Sequence, residues 1–365
     1  MSGWNWTRAP QAGEITLGLV GDTNIQGRGD PASAFMEVMD TLHDLDLLMG
    51  QLECPLSKPS DDPLAPDISY KKGWKHSDPL VAEGFKKAGF KAVSFASNVT
   101  FPPAVAVETA AHLDRAGIAH AGGGKDWAAA RAPAIVESGG VTVALLSYTS
   151  VFWPIEQPAT AKTPGVATIK GHTAYQPGRR VLEMPGAPPD IHTWADPDEL
   201  AAMVDDVKAA KAKADIVIVA CHWGVSSQEE HVGYQTEIGK AAIDAGADLV
   251  YGTHSHMIGG VELYKGRPIF YSLGNFAFDW QKMRGRNLDG LMVRCVVGRQ
   301  GIAHVGLVPV RRNDDNNIAV LDPHTPEGAL VVNRLSELSE GLGARFVLRG
   351  NEVMVEADSQ VVSVA

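Results

Sequence analysis

Six polar residues, far apart in the chain, combine the side-chain types that bind transition metals. Two are carboxylates, one is an amide and three are imidazoles: Asp22, Glu53, Asn98, His222, His254 and His256. Imidazole nitrogens suit transition metals such as Zn, Mn and Fe, and a carboxylate can bridge two ions. Paired ions activate a water molecule between them. The set predicts a centre of two divalent ions, of the class Mn, Zn, Fe or Ca.

Each of these residues also has a simpler interpretation. Asp22 could cap a following helix, and Asn98 could occupy a turn. A single histidine after a strand is more often structural than a ligand. His254 and His256 flank Ser255, and side chains two apart on an extended segment point the same way. We therefore expect both rings to reach one cluster, and the combination favours a metal site more than any member does.

Strand-like apolar runs precede the six residues, which suggests how they come together. These runs cover residues 14–20, 46–49, 92–95, 216–220 and 249–251. Segments with helical spacing alternate with them, at residues 31–45, 78–88, 103–116, 197–212 and 234–245. This order predicts βαβ units and a mainly parallel sheet. Ligands bind at the carboxyl ends of such strands, so the six side chains are expected to converge there.

The alternation of predicted strands and helices is interrupted twice along the chain. Residues 150–196 are rich in Pro, Gly, Thr and His, and we interpret them as an insertion that forms a lid over the site, or else as a disordered surface loop. From residue 259 the chain is strand-rich, which predicts antiparallel strands of a second sheet. We expect one domain over residues 13–312. Residues 313–365 form a C-terminal extension packed on it, with a helix over 326–341 and two short strands.

Composition narrows the class of protein. The 365 residues carry a formal net charge of -11, which argues against nucleic-acid binding through phosphates, although a metal could reverse the local field for an anionic substrate. The three cysteines have neither zinc-site nor disulfide spacing and predict reduced thiols. Residues 1–12 lack an apolar signal core, and no apolar run reaches the roughly 18–20 residues of a membrane span. We therefore expect a cytoplasmic protein that binds no membrane.

Short motifs around the candidate ligands resemble the CapA-like proteins of capsule poly-γ-glutamate biosynthesis, within the calcineurin-like metallophosphoesterase superfamily. They are Gly21-Asp22, Leu52-Glu53, Ser97-Asn98, His222-Trp223-Gly224, Gly252-Thr253-His254-Ser255-His256 and Ser272-Leu273-Gly274-Asn275-Phe276. The similarity runs from about residue 15 to residue 279. It implies an α/β fold, a four-layer α/β/β/α metallophosphoesterase-like sandwich.

The resemblance also implies roles for the candidate ligands. Asp22 and His256 would hold a first ion, and Glu53 would bridge it to a second. The second ion would be held by Asn98, His222 and His254.

The chain departs from that family's pattern at several positions. Asn24 stands where the superfamily commonly has His, and Gln51 stands where the family usually has Asn. Val99 replaces a His that commonly acts as the general acid. Since valine cannot transfer a proton, ordinary phosphoester hydrolysis is disfavoured unless another histidine, for example His76, takes that role. Val225 and Ser226 stand where a Glu usually follows.

Three functions stay open. The first is a metal-dependent hydrolase acting on a peptide, amide or phosphoester substrate, with His76, Asn98 and His222 as catalytic candidates. The second is a metal-dependent epimerase of the C-terminal residue of a ribosomal, lasso-type peptide, which needs a polarised carbonyl and a base but no leaving-group acid. The third is a non-catalytic accessory protein in polymer or peptide biosynthesis.

The expected partner is a peptide or small anionic substrate. Three lysines could hold a substrate carboxylate, or could instead form a solvated basic loop: Lys71, Lys72 and Lys75. The sequence does not fix the oligomeric state, and a homodimer is one option.

Overall fold

The fold consists of two large β-sheets with helices outside them. A computed structural model describes residues 7–62 and 64–358, so residues 1–6 of the polar N-terminus and residues 359–365 of the C-terminal extension lie outside the described residues. The described strands are β1 (Glu14–Asn24), β2 (Leu47–Leu52), β3 (Phe90–Ser94), β4 (Ala119–Ala121), β5 (Gly123–Gly124), β6 (Ala134–Ser138), β7 (Val141–Thr149), β8 (Gly165–Val166), β9 (Gly171–Gln176), β10 (Asp190–Ala195), β11 (Ile216–His222), β12 (Leu249–Thr253), β13 (Val261–Tyr264), β14 (Arg267–Phe270), β15 (Asn275–Phe278), β16 (Asp289–Gly298), β17 (Gly301–Arg312), β18 (Ile318–Val320), β19 (Ala344–Arg349) and β20 (Glu352–Ala357).

The helices are mostly short. The described α-helices are α1 (Met39–His43), α2 (Val81–Lys87), α3 (Ala104–Ala116), α4 (Trp127–Arg131), α5 (Pro197–Lys211), α6 (Gly233–Ala245) and α7 (Pro326–Leu338). The helix α5 begins where the sequence predicts it, because the Asp196 side chain accepts hydrogen bonds from the first-turn N–H groups and Pro197 occupies the first turn. The predicted helix over residues 31–45 is instead divided into a 3-10 helix, Pro31–Phe35, and α1.

The two sheets draw their strands from both halves of the chain. The first has the order β19-β20-β17-β16-β1-β2-β3-β4, with β15 beside β1 and β18 beside β17. The second has the order β13-β14-β12-β11-β7-β6. The expectation that the strands after residue 259 form the second sheet was therefore wrong for β16 and β17. Strand β16 is buried along nearly its whole length, which suits the centre of a sheet covered on both faces.

Apolar side chains from both sheets meet in one inner core. Alternation along β1 points Leu17 and Leu19 into that core and Val20 toward the outer helices. The outer face of the first sheet is covered by α1, α2 and α3, and that of the second by α5 and α6. The protein is thus a four-layer α/β/β/α sandwich, which confirms the predicted fold class.

Residues 150–196 contain regular structure. Strands β9 and β10 pair as an antiparallel hairpin, and β8 pairs with β5. The start of this segment contacts the loop after β3, since the Trp153 indole N–H donates to the Asn98 carbonyl oxygen at 3.0 Å. The interpretation as a disordered loop was therefore wrong, while the lid role stays a prediction.

The C-terminal elements pack on the sandwich. Val331 and Leu335 of α7 belong to the core between the sheets, and β20 pairs with β17. The division at residue 312 stays a prediction. Cys54, Cys221 and Cys295 are buried and unpaired, in agreement with the predicted free thiols. Among the described helices none has both the length and the apolar character needed to span a bilayer.

Candidate metal centre

The six candidate ligands meet at the carboxyl ends of strands from both sheets. In the first sheet, Glu53 directly follows β2 and Asn98 lies in the loop after β3. In the second sheet, His222 is the last residue of β11 and His254 directly follows β12. Asp22 differs from expectation because β1 continues past it to Asn24, with a shift in the pairing register on either side of Asp22. The cluster therefore lies where the ends of the two sheets meet.

The backbone of the His-x-His motif is not extended. His254 has a φ of 89° and His256 a φ of 59°, both in the left-handed region. Non-glycine residues rarely adopt such angles, and they cost free energy that the surrounding fold must supply. The predicted convergence of the two rings is present, with centroids 5.9 Å apart, but it arises from a bend and not from strand alternation.

Asp22, Glu53 and His256 form one group of ligand-type atoms. His256 Nδ1 lies 3.6 Å from Asp22 Oδ2 and 3.8 Å from Glu53 Oε2. Asp22 Oδ2 also accepts a hydrogen bond of 2.8 Å from the backbone N–H of His254. One ligand atom from each of the three residues lies within 4.8 Å of the others, so the group could hold a metal ion.

Glu53, His222 and His254 form a second group by the same measure. His222 Nε2 lies 3.2 Å from His254 Nδ1 and 4.0 Å from Glu53 Oε1. The side-chain oxygen of Asn98 lies 2.9 Å from His222 Nε2, at the edge of this group. Glu53 belongs to both groups, so one carboxylate stands between two candidate ion positions.

Several buried oxygen atoms at this site have no hydrogen-bond partner within the described chain. They are Asp22 Oδ1, Asn24 Oδ1 and Glu53 Oε2. A buried polar atom without a partner costs about 1–3 kcal/mol or more. Oxygen and imidazole donors around such atoms fit a divalent cation, and Asn24 is held in place by donating to the Glu53 carbonyl oxygen at 2.7 Å. The chemistry of the donor set therefore fits metal ions.

Burial disfavours the charged form of every titratable ligand in the cluster. It raises the pKa of Asp22 to about 7 and that of Glu53 well above its ordinary value, and repulsion by Asp22 adds to the Glu53 shift. Burial also lowers the pKa of His256 to about 4 and those of His222 and His254 well below the ordinary value. Neutral imidazoles are the form that binds metals, and a cation would favour ionised carboxylates.

Two further residues fix the histidine rings. Asn275 Oδ1 lies 3.0 Å from His256 Nδ1, and Thr253 Oγ1 lies 3.1 Å from His222 Nδ1. Thr253 contacts the His222 nitrogen opposite Nε2, which orients the ring and leaves Nε2 to face the ligand group. Asn275 contacts the same His256 nitrogen that faces Asp22 and Glu53, so it positions that ring and would share Nδ1 with an ion. The sequence analysis did not assign either residue a role. Both lie inside the quoted motifs, at the third position after Ser272 and directly before His254, which is the signal that could have identified them.

His76 and Val99, the two positions connected with a general acid, make contacts outside the set of six ligands. The His76 Nε2 atom donates to the Phe101 carbonyl oxygen at 2.9 Å, and Nδ1 lies 4.0 Å from Asp67. These contacts of the His76 ring involve none of the six ligands, so its catalytic role stays a prediction. Val99 is fully buried in a small apolar cluster with Trp74 and Phe101. No proton donor replaces it at that position.

Comparisons with known proteins agree with this architecture. Residues 11–280 match the family described as bacterial capsule synthesis protein PGA_cap. A capsule biosynthesis protein CapA of Bacillus anthracis is 26% identical over 342 residues, which cover 88% of this chain and 72% of that protein. An uncharacterized protein of Sinorhizobium fredii is 29% identical, and the match covers 67% of this chain and 61% of the relative's length.

Two other similarities are more limited. A probable polyglutamine synthesis accessory protein of Mycobacterium tuberculosis is 33% identical over 49% of this chain and 42% of that protein. A phosphatase structure from Mycoplasma pneumoniae superposes with a TM-score of 0.49 at 11% identity, over 83% of this chain and 96% of that one. Because the family match spans residues 11–280, the chain belongs to the bacterial capsule synthesis protein family PGA_cap.

Proposed function

We propose that this chain is a metal-dependent enzyme, a hydrolase that acts on a peptide, amide or phosphoester substrate. The observation that carries the proposal is the pair of three-residue groups that share Glu53. Buried oxygens without partners and neutral histidines support the same conclusion. When bound, divalent ions would polarise a carbonyl or phosphoryl oxygen and lower the pKa of a water molecule.

The protein's own residues would have separate roles in this site. Asp22 and His256 would hold one ion, His222, His254 and Asn98 would hold the other, and Glu53 would contact both. Asn275 and Thr253 would keep the His256 and His222 rings oriented. The Trp153 indole holds the backbone of Asn98, so the start of the segment 150–196 would set the position of that amide.

A second candidate function is supported by one observation. Val99 occupies the position of the superfamily's usual general acid, and it packs in an apolar cluster with Trp74. Epimerisation at the C-terminal residue of a peptide needs a polarised carbonyl and a base for the Cα proton, but no leaving-group acid. Val99 is compatible with that chemistry, so the epimerase is the alternative that the site supports best.

The first experiment is metal analysis. Elemental analysis measures the number of ions bound per chain. The samples are the purified wild type, the double variant His254→Ala/His256→Ala and a control variant, His324→Ala. His324 is exposed and its ring contacts the Gly350 carbonyl oxygen, far in sequence from the ligands. We expect two ions in the wild type and the control, and loss of both in the double variant.

The metal-loaded protein then separates the candidate reactions. Release of phosphate or of a cleaved peptide would identify a hydrolase, whereas deuterium incorporation at Cα without cleavage would identify an epimerase. A wild type that binds no stoichiometric metal after incubation with Mn, Zn or Ca would contradict the enzyme proposal. Tight metal binding without turnover of any substrate would instead favour an accessory protein.

A further inference from the structure

The three lysines near the site differ in their surroundings. Lys75 Nζ contacts backbone carbonyl oxygens, among them that of Ser60 at 3.4 Å, and lies 4.0 Å from Asp67. Lys72 is exposed. Lys71 lies over two indole rings, with Nζ at 4.3 Å from the centre of the Trp74 ring and 4.8 Å from that of Trp280. Only Lys71 is therefore held in place with its ammonium group otherwise unpaired.

The two tryptophans form a rigid cage for Lys71. Trp74 is fully buried, and its ring meets Trp280 edge-on with a centroid distance of 5.3 Å. Each cation–π contact stabilises the ammonium against the ring face, and more strongly where the ammonium is desolvated. A cation held against aromatic faces keeps its N–H bonds available, because the rings do not accept them as an oxygen does. The cage therefore fixes the position of Lys71 without an anionic partner in contact with it. Burial lowers the pKa of Lys71, and the negative charge of Glu53 opposes that shift.

The Lys71 ammonium lies beside the metal centre, because the Trp74 ring under it packs in one apolar cluster with Val99, and Val99 directly follows the candidate ligand Asn98. Its charge lowers the pKa of Glu53 and contributes to the lowered pKa values of all three histidines. No acceptor lies within hydrogen-bond distance of Nζ among the described residues, and the indole N–H groups of Trp74 and Trp280 are also buried without an acceptor. The part of the site around Lys71 therefore contains hydrogen-bond donors and a positive charge, but the described residues place no hydrogen-bond acceptor against them.

The cage packs against the loop that carries Asn98. Val99 packs in the same apolar cluster as Trp74, with Trp280 against it. One ammonium group matches the single charge of a carboxylate, whereas a phosphate dianion is usually met by several cationic or backbone donors. The local chemistry therefore favours a carboxylate.

We propose that Lys71, held by Trp74 and Trp280, binds a carboxylate of the substrate and places the adjacent part of the substrate at the metal centre. The inference rests on the proposed function and narrows its substrate class to carboxylate-bearing peptides or amides. Lys71 acts here as a specificity-determining residue, and Lys72 and Lys75 have no part in binding.

The test compares two probes on metal-loaded protein by calorimetry: N-acetyl-glycyl-alanine and its C-terminal amide. We expect the wild type to prefer the free acid, and Lys71→Met to lose that preference by about tenfold or more. The methionine keeps the apolar stem between the indoles and removes only the charge. Lys72→Met is the matched control and should keep the preference, while Lys71→Arg should restore part of it.

Three results would overturn the inference. The first is an unchanged preference for the acid in a Lys71→Met protein that unfolds at the wild-type temperature. The second is a wild type that binds the acid and the amide equally. The third is displacement of the acid by inorganic phosphate at a lower concentration than by acetate. If Lys71→Met proves unstable, Lys71→Gln against Lys72→Gln gives the same comparison, because glutamine also removes the charge. Metal content of the same samples separates the two failures. A wild type that holds its ions but shows no preference for the acid contradicts this inference alone, whereas a wild type without stoichiometric metal contradicts the proposed function.

Discussion

At the residue scale, Glu53 is the position on which the candidate metal centre depends most. Each of the other ligands in these groups belongs to one group, but Glu53 belongs to both. Its Oε2 atom is buried without a partner and its neighbour Asp22 repels it. An ionised carboxylate that is buried without a partner destabilises the metal-free protein. A bound cation would offset this cost, and we infer that Glu53 therefore favours tight cation binding.

Replacing the shared carboxylate should have a larger effect than replacing an unshared one. We expect Glu53→Gln to reduce bound metal from two ions per chain to none, because an amide is a weaker ligand at both positions. Asp22→Asn should keep one ion, held by Glu53, His222 and His254. Elemental analysis after dialysis measures both. Equal losses in the two variants would show that Glu53 is not shared.

At the element scale, the position of Asp22 depends on close backbone contact between β1 and the turn before β15. The Asp22 N–H donates to the Gly274 carbonyl oxygen at 3.0 Å. A Cβ atom on Gly21 would lie 2.1 Å from that same oxygen. Glycine is required at position 21 because no side chain fits between the two backbones.

We therefore expect Gly21→Ala to destabilise the protein by about 1–3 kcal/mol, the usual cost of overpacking, and to weaken metal binding by displacing Asp22. Urea unfolding of the metal-free protein measures the first effect. Gly29→Ala is the control, since nothing lies within 4 Å of a Cβ placed there. A Gly21→Ala protein with the wild-type midpoint would mean that the strand and turn separate at little cost.

Local features of the structure could be predicted from the sequence, whereas features that depend on distant residues could not. The β-branched run before Gly21 and the apolar run before His222 predict strands that the structure contains, because burial and pleat alternation are encoded locally. Which sheet β16 joins depends on residues far away in sequence, and that prediction was wrong. The left-handed backbone at His254 and His256 was also missed, since propensity favours no such angle for histidine.

At the scale of the whole molecule, a buried ionic cluster connects the N-terminal segment to the C-terminal hairpin. Glu352 of β20 accepts hydrogen bonds from the Thr7 hydroxyl and from the Thr7 backbone N–H at 3.1 Å. It also pairs with His304 of β17 at 3.1 Å and with Arg294 of β16 at 3.7 Å. Burial alone would raise the pKa of Glu352, but the hydrogen bonds from His304 and Thr7 outweigh burial and lower it.

The lowered pKa makes this cluster acid-sensitive. A carboxylate whose pKa is lower in the folded than in the unfolded chain stabilises the fold above its ordinary pKa of 4.5, and that stability is lost as the pH falls through the folded value. We expect Glu352→Gln to lose about 1.5–3 kcal/mol near neutral pH and to show a flatter decline of stability in acid. Thermal unfolding from pH 7 to pH 3 checks both.

Glu356 provides the control for that measurement. It lies on the same strand and pairs with the exposed side chains of Arg345 and Arg349. Surface ion pairs contribute about 0–1 kcal/mol, so Glu356→Gln should leave the acid profile close to that of the wild type. A profile for Glu352→Gln that matches Glu356→Gln would contradict the role of the buried cluster.

The six candidate ligands come in equal numbers from segments of the two sheets, with Asp22, Glu53 and Asn98 on one side and the three histidines on the other. They can gather only after the sheets dock, and we expect that docking to be a late event in folding because it joins segments far apart in the chain. An ion bound there would lengthen the lifetime of the native state by slowing its unfolding and would leave the folding rate nearly unchanged. A cell short of metal would then produce the folded chain at the usual rate but degrade it sooner.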